Sequence, residues 1–305
     1  MLLTGAVGQL GWCLRQRKPP GVELIASSRH GGEGLLALDL ADQQACRRAV
    51  LELRPDWVLN CGAYTAVDRA ETEPDLVQAV NAAAPQAFAE ALAQTGGQLL
   101  QLSTDYVFNG RQRHPYRPTD VRGPLGVYGA SKAAAEDAVQ AFLGANGRGL
   151  VLRSSWVMGP VGHNFLLTML RLHRERALTG QSLAVVDDQV SSPTSVLSLA
   201  AASWRLVAHA EAAPGRLGPV LHWSDAGVAR WYDVAVAIGA MAVELGLLQT
   251  MAVVKPIPSA EFPSLARRPS YSVLDCSQTR AALQLEPLHW QQSLRHLLTT
   301  LRSNG

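Results

Sequence analysis

The first half of the chain alternates short, continuously apolar runs with longer segments whose apolar residues recur every three or four positions. Continuous apolar runs predict strands buried on both faces of a parallel sheet, and the helical spacing predicts helices that cover them. Strands alternating with helices predict βαβ units and a doubly wound sheet. The predicted strands are 22–27, 57–61, 98–103 and 149–154, and the predicted helices are 42–54, 74–95 and 131–142.

Beyond Trp156 the pattern is looser. It predicts helices at 164–176, 194–209 and 231–247, one or two helices over 277–301, a strand at 220–224, and a proline-rich loop at 256–269. We therefore predict an α/β protein with two domains. Residues 1–155 form a Rossmann-type doubly wound parallel sheet. Residues 156–305 form mainly a smaller α/β substrate-binding domain, with a segment near 180–240 returning to the first.

Composition narrows the class of protein. Hydrophobic residues make up 48%, charged residues 17%, and the net charge is +2, so no nucleic-acid or membrane partner is expected. The four cysteines form no C-x-x-C pair, which favours reduced thiols and a cytoplasmic location. The chain has no apolar run of 18 residues and no room for a signal peptide before its first glycines.

A G-x-x-G-x-x-G pattern opens the chain at Gly5, Gly8 and Gly11 and includes Gln9 and Leu10. It follows a short apolar run and precedes a helical segment. Glycines there allow a pyrophosphate to approach the backbone, and the free N–H groups of the helix N-terminus favour its charge. Only the short apolar run at residues 2–4 precedes the first glycine, so we expect either a short first strand or a misassigned start codon.

The end of the second strand bears on cofactor choice. It reads Ser27-Ser28-Arg29-His30 and carries no acid to hold ribose hydroxyls. A 2′-phosphate prefers arginine, so we predict NADPH with Arg29 on its phosphate, and NADH as an alternative. Arg29 as a solvated loop residue is the competing interpretation.

Tyr128 and Lys132 stand four residues apart, which places them on one face of a helix. A lysine cation beside a phenol favours the phenolate and lowers the tyrosine pKa. Such a phenol can give a proton to a developing alkoxide, as carbonyl reduction requires.

Longer motifs accompany these patterns. They lie at residues 4–11, 39–40 (Asp39-Leu40), 60–71, 103–110, 128–132, 153–157, 188–194 and 268–275. The segment 60–71 contains Ala63-Tyr64-Thr65-Ala66-Val67-Asp68, and the segment 103–110 begins with Ser103-Thr104-Asp105-Tyr106-Val107-Phe108. With them, the chain resembles the extended short-chain dehydrogenase/reductases and, among these, the dTDP-4-dehydrorhamnose reductases.

The resemblance implies a reaction. NADPH would reduce dTDP-4-dehydro-L-rhamnose at C4 to dTDP-L-rhamnose, with Tyr128 as proton donor. Lys132 would lower its pKa and hold the nicotinamide ribose, and Thr104 would hydrogen-bond the same sugar oxygen. In related dehydratases a glutamate follows the aspartate that corresponds to Asp105. Here Tyr106 follows, which favours plain reduction over water elimination.

The resemblance also implies binding residues. Cofactor contacts are expected from Asp39, Leu40, Ala63, Tyr64 and Thr65, in addition to the glycine loop, Arg29, Tyr128 and Lys132. Substrate contacts are expected from Val67, Glu71, Thr104, Asp105, Tyr106, Arg153, Trp156 and Arg268. Trp156 as core packing, Asp105 as a turn residue and Arg268 as an exposed bystander are the competing interpretations. Asn81 is expected either to tune Lys132 through water or to satisfy a helix kink.

Some members of that family form a dimer bridged by magnesium through glutamates. Cys13 occupies one such position, and the helix after Thr194 begins without an acid, so no bridging metal is predicted. Whether the chain forms a homodimer is left open.

Two other hypotheses compete with the reductase. One is a related sugar-nucleotide epimerase, and the other is a non-catalytic NADP-binding regulatory subunit, which would be expected to lose Thr104, Tyr128 or Lys132.

Overall fold

The structure is a computed structural model that describes residues 1–303. Its strands are β1 (Leu2–Thr4), β2 (Ile25–Ser28), β3 (Leu36–Ala37), β4 (Trp57–Asn60), β5 (Gln98–Thr104), β6 (Gly149–Ser154), β7 (Val157–Met158), β8 (Leu183–Val186), β9 (Val190–Ser191), β10 (Thr194–Ser195), β11 (Val220–His222), β12 (Ala229–Arg230) and β13 (Val254–Ile257). Its α-helices are α1 (Gln9–Gln16), α2 (Gln43–Leu53), α3 (Val67–Ala70), α4 (Pro74–Gln78), α5 (Ala84–Thr95), α6 (Val127–Leu143), α7 (Phe165–Thr179), α8 (Val196–Ala212), α9 (Trp231–Glu244), α10 (Ser277–Leu283) and α11 (Trp290–Ser303).

Seven strands form a parallel sheet in the order β11-β6-β5-β4-β1-β2-β3. The direction of strand addition reverses between β1 and β4, which creates the crevice where doubly wound sheets bind ligands. The predicted Rossmann-type doubly wound sheet is confirmed.

Alternate residues of the central strands enter two different cores. Leu3, Leu59, Leu100 and Leu152 pack towards α1 and α8, whereas their neighbours Leu2, Val58, Leu99 and Val151 pack towards α2, α5 and α6. Because successive side chains of a strand point to opposite faces, a continuous apolar run buries both faces of the sheet.

A smaller layer follows the sheet in sequence. The strands β8 and β13 pair in parallel, and the helices α7 and α9 pack beside them. Helix α8 packs on α1, and β11 extends the seven-stranded sheet next to β6. The chain therefore crosses between the sheet and the smaller layer more than once, so residues from distant parts of the sequence meet at their junction.

The structure differs from the prediction at several elements, and two of these differences concern the proline-rich segment and the start of α6. The proline-rich segment begins with a strand, β13, because Pro256 lies in a two-stranded pair at whose edge its missing N–H is tolerated. Helix α6 begins at Val127 rather than near residue 131, since Glu71 Oε1 accepts a hydrogen bond of 2.9 Å from Val127 N at its first turn.

Candidate active site

The glycine loop joins β1 to α1 at the crevice. Gly5 has φ +64°, and a Cβ atom there would lie 2.6 Å from Gly62 Cα. A Cβ atom on Gly11 would lie 2.1 Å from Gly5 O. Only glycine fits these positions, so the backbone is left open to a phosphate at the start of α1. Leu10 is buried in the core and can contribute only backbone, whereas Gln9 Oε1 has no hydrogen-bond partner among residues 1–303.

Arg29 and Asp39 form an ion pair at the rim of this crevice. Arg29 Nε lies 3.6 Å from Asp39 Oδ1, and the two side chains are 53% and 45% exposed. The neighbouring side chain of Leu40 packs against Gly62, beside the glycine loop. The structure thus places Arg29, Asp39 and Leu40 together, and Arg29 is an exposed cation paired with Asp39.

The segment Ala63–Thr65 follows β4 at the same edge. Asn81 holds its backbone, because Asn81 Oδ1 accepts from Tyr64 N at 2.8 Å and Asn81 Nδ2 donates to Tyr64 O at 3.0 Å. Asn81 lies in a π-helical turn, Ala79–Ala83, and Nδ2 also donates to Ser131 Oγ on α6. Asn81 therefore fastens the loop after β4 to the helix that carries Tyr128.

Tyr128 and Lys132 lie one turn apart on α6, as their spacing predicts. Lys132 Nζ donates to Leu102 O at 2.5 Å, and burial lowers its pKa to about 8. Burial raises the pKa of Tyr128 to about 12, while a hydrogen bond with Thr104 acts in the opposite direction. The expected lowering of the Tyr128 pKa is not found in this structure, where burial outweighs the opposing hydrogen bond and the Lys132 ammonium donates to a backbone carbonyl.

Asp105 is the most deeply buried acid near Tyr128. Burial raises its pKa to about 6, against the opposing effect of hydrogen bonds from Ser272, Thr104 and Ser191. Tyr106, the next residue, packs edge-on against Tyr128 with ring centroids 6.0 Å apart. The structure thus brings together four predicted residues, Thr104, Asp105, Tyr106 and Tyr128, at the carboxyl end of β5.

Val67 and Glu71 line a small cavity with Tyr106 and Tyr128. The carboxylate of Glu71 is engaged at the N-terminus of α6, where it accepts from Val127 N. Val67 thus lies beside Tyr128, and Glu71 fixes the helix that presents the phenol.

Comparison with known proteins places this site in a family. The model of the RmlD substrate binding domain matches residues 1–303. The chain belongs to this family. The dTDP-4-dehydrorhamnose reductase of Escherichia coli (strain K12) is 34% identical over 301 residues, covering 99% of this chain and 97% of the relative. The enzyme of that name from Streptomyces griseus is 40% identical over 296 residues, covering 96% and 91%. A solved dTDP-4-dehydrorhamnose reductase from Bacillus anthracis, in complex with NADP, is 31% identical with a TM-score of 0.85, covering 98% of each chain. The resemblance inferred from the motifs is confirmed.

In this member of the RmlD substrate binding family, Arg153 does not reach the site. It is 2% exposed on β6, and its guanidinium donates to Glu136 through Nε at 2.8 Å and Nη2 at 2.6 Å. The remaining Nη1 donates to Pro118 O at 3.2 Å and lies 3.2 Å from His222 Nε2. The expected contact of Arg153 with substrate is therefore corrected: its donors serve a buried ion pair.

Trp156 lies one layer behind a pocket. It has φ +46°, an uncommon conformation for a residue other than glycine, and its ring stacks on Trp231 with centroids 3.6 Å apart. Trp231 faces a cavity of about 630 Å³ between α7, β8 and the segment 259–268. The cavity is lined by Phe165, Met169, Val186, Gln189, Trp231 and Arg268, among others.

Sequence reasoning missed Trp231 and Gln189, which are joined by a hydrogen bond of 3.1 Å from Trp231 Nε1 to Gln189 Oε1. The Asp188-Gln189 part of a quoted motif was the available signal for Gln189, whereas nothing in the local sequence of Trp231 sets it apart from the chain's other tryptophans.

Arg268 closes the cavity on the side of Tyr106. Its guanidinium binds both carboxylate oxygens of Asp68, with Nη2 2.6 Å from Oδ2 and Nη1 3.2 Å from Oδ1. This ion pair holds the pKa of Asp68 well below its usual range. The Arg268 side chain is only 18% exposed, so the competing interpretation of an exposed bystander does not hold, and its predicted contact with substrate stays a prediction.

Between residues 1 and 303, no three Asp, Glu, His or Cys side chains come close enough to hold a metal ion. Over the same range, no helix is long and apolar enough to cross a membrane.

Proposed function

We propose that the protein catalyses the NADPH-dependent reduction of dTDP-4-dehydro-L-rhamnose at C4, which yields dTDP-L-rhamnose. The observation that carries this proposal is the Thr104–Tyr128 hydroxyl pair beside Lys132 and a glycine loop, in a chain that matches the reductase family over 1–303. The relatives named dTDP-4-dehydrorhamnose reductase, one of them solved with NADP, support it.

The residues of the crevice fit a phosphorylated dinucleotide. Gly5 and Gly11 leave space that a single Cβ atom would fill, and the α1 N-terminus offers backbone N–H groups there. Arg29 supplies a cation at the rim for the 2′-phosphate, and Ala63–Thr65 are held beside the same edge by Asn81. When bound there, NADPH supplies the hydride for the sugar carbon.

Tyr128 would supply the proton. Its pKa of about 12 keeps the phenol protonated at neutral pH, so it can give its proton to the sugar oxygen as negative charge develops on that atom. The phenolate left behind is stabilised by the hydrogen bond with Thr104. Lys132, on the next turn, lies where it would bind the nicotinamide ribose.

The sugar nucleotide would enter from the smaller layer. We place its nucleotide in the 630 Å³ cavity beside Trp231, with its sugar directed towards Tyr106 and Tyr128. An aromatic wall suits a pyrimidine base, and Arg268 at the cavity edge suits a diphosphate. The thymidine base and the 4-dehydro-L-rhamnosyl group remain part of this proposal.

Domain limits, assembly and location are also proposals. We assign 1–155 to the cofactor and 156–305 mainly to the substrate, with a segment near 180–240 that returns to the first domain. The pairing of β11 with β6 and the packing of α8 on α1 support this return. A homodimer would leave this site complete within each chain. The four free cysteines favour a cytoplasmic location.

The proposal is tested by following NADPH absorbance with enzymatically generated dTDP-4-dehydro-L-rhamnose, and by identifying the product sugar. Oxidation of one NADPH per dTDP-L-rhamnose formed supports it. An NADPH-binding protein that leaves this ketosugar unchanged would favour the epimerase or the regulatory hypothesis.

A further inference from the structure

Three hydroxyl groups surround the buried carboxylate of Asp105, and two of them come from the C-terminal half of the chain. Ser272 Oγ donates to Oδ2 over 2.5 Å, and Ser191 Oγ lies 3.3 Å from the same oxygen. Thr104 Oγ1 donates to Oδ1 over 3.1 Å. Because Asp105 is 2% exposed, these hydroxyl groups replace water around its charge.

Hydrogen bonds also join the two segments that carry Ser191 and Ser272. Ser272 N donates to Val190 O at 2.9 Å, and Ser191 Oγ lies 3.3 Å from Ser272 O. Both serines are buried, and Ser191 lies in β9, where it pairs with Ala229 of β12. The backbone of the smaller layer therefore presents a pair of hydroxyl donors to one oxygen of an acid that follows β5.

The hydroxyl group of Thr104 has one proton and two groups that can receive it. Its oxygen accepts from Tyr106 N at 3.2 Å, and its proton is directed to Asp105 Oδ1. In this structure the proton is given to Asp105, but Thr104 also lowers the pKa of the nearby Tyr128 phenol, an effect that requires its proton to turn to the phenolate. Both donations cannot occur at once, so the hold of Asp105 on this proton limits the support that Thr104 gives to Tyr128.

We propose that Ser272, assisted by Ser191, is a positioning residue for the reduction: it satisfies Asp105 Oδ2, so that Oδ1 can release the Thr104 hydroxyl to Tyr128. The inference rests on the proposed function. In the step, the O–H bond of Tyr128 breaks and an O–H bond forms on the sugar oxygen. The Thr104 hydroxyl keeps its proton and turns about its Cβ–Oγ1 bond, from Asp105 to the new phenolate. This gives the serine of the 268–275 motif a role.

Kinetics of four variants test the role. At a pH well above the pKa of Asp105 in both proteins, Ser272→Ala should lower kcat about three- to tenfold and leave KM for the sugar nucleotide unchanged. This is less than the full effect of one hydrogen bond to a charged group, because Ser272 acts on Tyr128 only through Asp105 and Thr104. The alkaline pH limb of Ser272→Ala should move to higher pH, because Tyr128 becomes a weaker acid. Ser191→Ala should act in the same direction but less, since its contact is longer. Ser270→Ala is the control, because Ser270 is exposed and its hydroxyl donates to Gly110 O.

A volume-matched variant separates donation from packing. Ser272→Cys keeps the side chain's shape but offers only a weak donor, so it should behave like Ser272→Ala. Wild-type kcat and pH profile in Ser272→Cys, or in Ser272→Ala itself, would overturn the proposal.

A measurement on the protein without ligands is independent of the reaction. Carbon NMR should show Asp105 titrating near pH 6 in the wild type, and at higher pH in Ser272→Ala, because burial persists while one donor is lost. The phenols of Tyr106 and Tyr128 feel the charge of Asp105, but burial keeps both neutral over this range. An unchanged Asp105 pKa in Ser272→Ala would overturn the proposal even if the enzyme proved to act on another sugar.

Discussion

Removal of Glu136 should cost this protein a large part of its stability without affecting substrate recognition. Glu136 and Arg153 are each 2% exposed and share two hydrogen bonds, of 2.8 and 2.6 Å. Glu136 also accepts from Ser103 Oγ at 2.5 Å and from Arg122 Nη1 at 3.1 Å. The substitution Glu136→Ala therefore leaves a buried guanidinium without its counter-charge.

The size of the loss follows from the remaining partners of Arg153. These are the carbonyl of Pro118, the face of the Phe108 ring, whose centroid lies 5.0 Å from Arg153 Cζ, and the ring of His222, whose pKa is lowered to about 3 by burial and by the charge of Arg153. None of the three can neutralise a cation. Breaking a buried pair in this way costs about 3–5 kcal/mol, against a total stability of about 5–15 kcal/mol. With a slope of about 3 kcal/mol per M, the urea midpoint should fall by about 1–2 M.

The assay is urea unfolding followed by circular dichroism, with Asp137→Ala as the matched control. Asp137 is the next residue on α6 and pairs with Arg122, but its side chain is 67% exposed, so its removal should cost less than about 1 kcal/mol. An equally small loss in Glu136→Ala would refute the reasoning. A raised KM for the sugar nucleotide in folded Glu136→Ala would indicate that Arg153 contacts the substrate.

Three further predictions concern the cofactor, the pocket and the pH dependence. Gly11→Ala should abolish NADPH binding in calorimetry while dTDP binding persists, because the new Cβ would lie 2.1 Å from Gly5 O; Gly218→Ala, with open space around it, should bind normally. Trp231→Leu should raise KM for the sugar nucleotide about tenfold with kcat little changed, since it removes the aromatic wall; an unchanged KM would place the nucleotide elsewhere. Burial lowers the Lys132 pKa from 10.5 to about 8, so the unfolded chain binds more protons there between these pH values. The contribution of Lys132 to the free energy of unfolding should therefore rise with pH across that window, so the wild type should become more stable relative to Lys132→Met. A difference in their urea unfolding free energies that does not change with pH would contradict this prediction.

The chemistry at the carboxyl ends of the strands was predictable because its signals are local. The glycine loop at Gly5, the residues after β5 and the four-residue step from Tyr128 to Lys132 each lie within a few positions of one another. Local sequence fixes which side chains emerge at a strand end, and the parallel sheet brings those ends together.

Contacts between distant segments were not predictable in the same way. Arg153 belongs to a recognisable motif, but its partner Glu136 lies 17 residues earlier on a helix, and no pattern links the two. Trp231 meets Trp156 only because the first residue of α9 comes to lie against the turn between β6 and β7. The direction of the Tyr128 pKa shift also depends on burial and on where the Lys132 ammonium points, which side-chain spacing alone does not determine.

The most direct test of the account compares wild type with Tyr128→Phe in NADPH oxidation by dTDP-4-dehydro-L-rhamnose, with Tyr232→Phe on α9 as the control. The account predicts rapid oxidation by the wild type and by Tyr232→Phe, and a loss of about 10²–10⁴ in kcat in Tyr128→Phe with NADPH affinity retained. Wild-type turnover by a folded Tyr128→Phe would contradict the assignment of the proton donor.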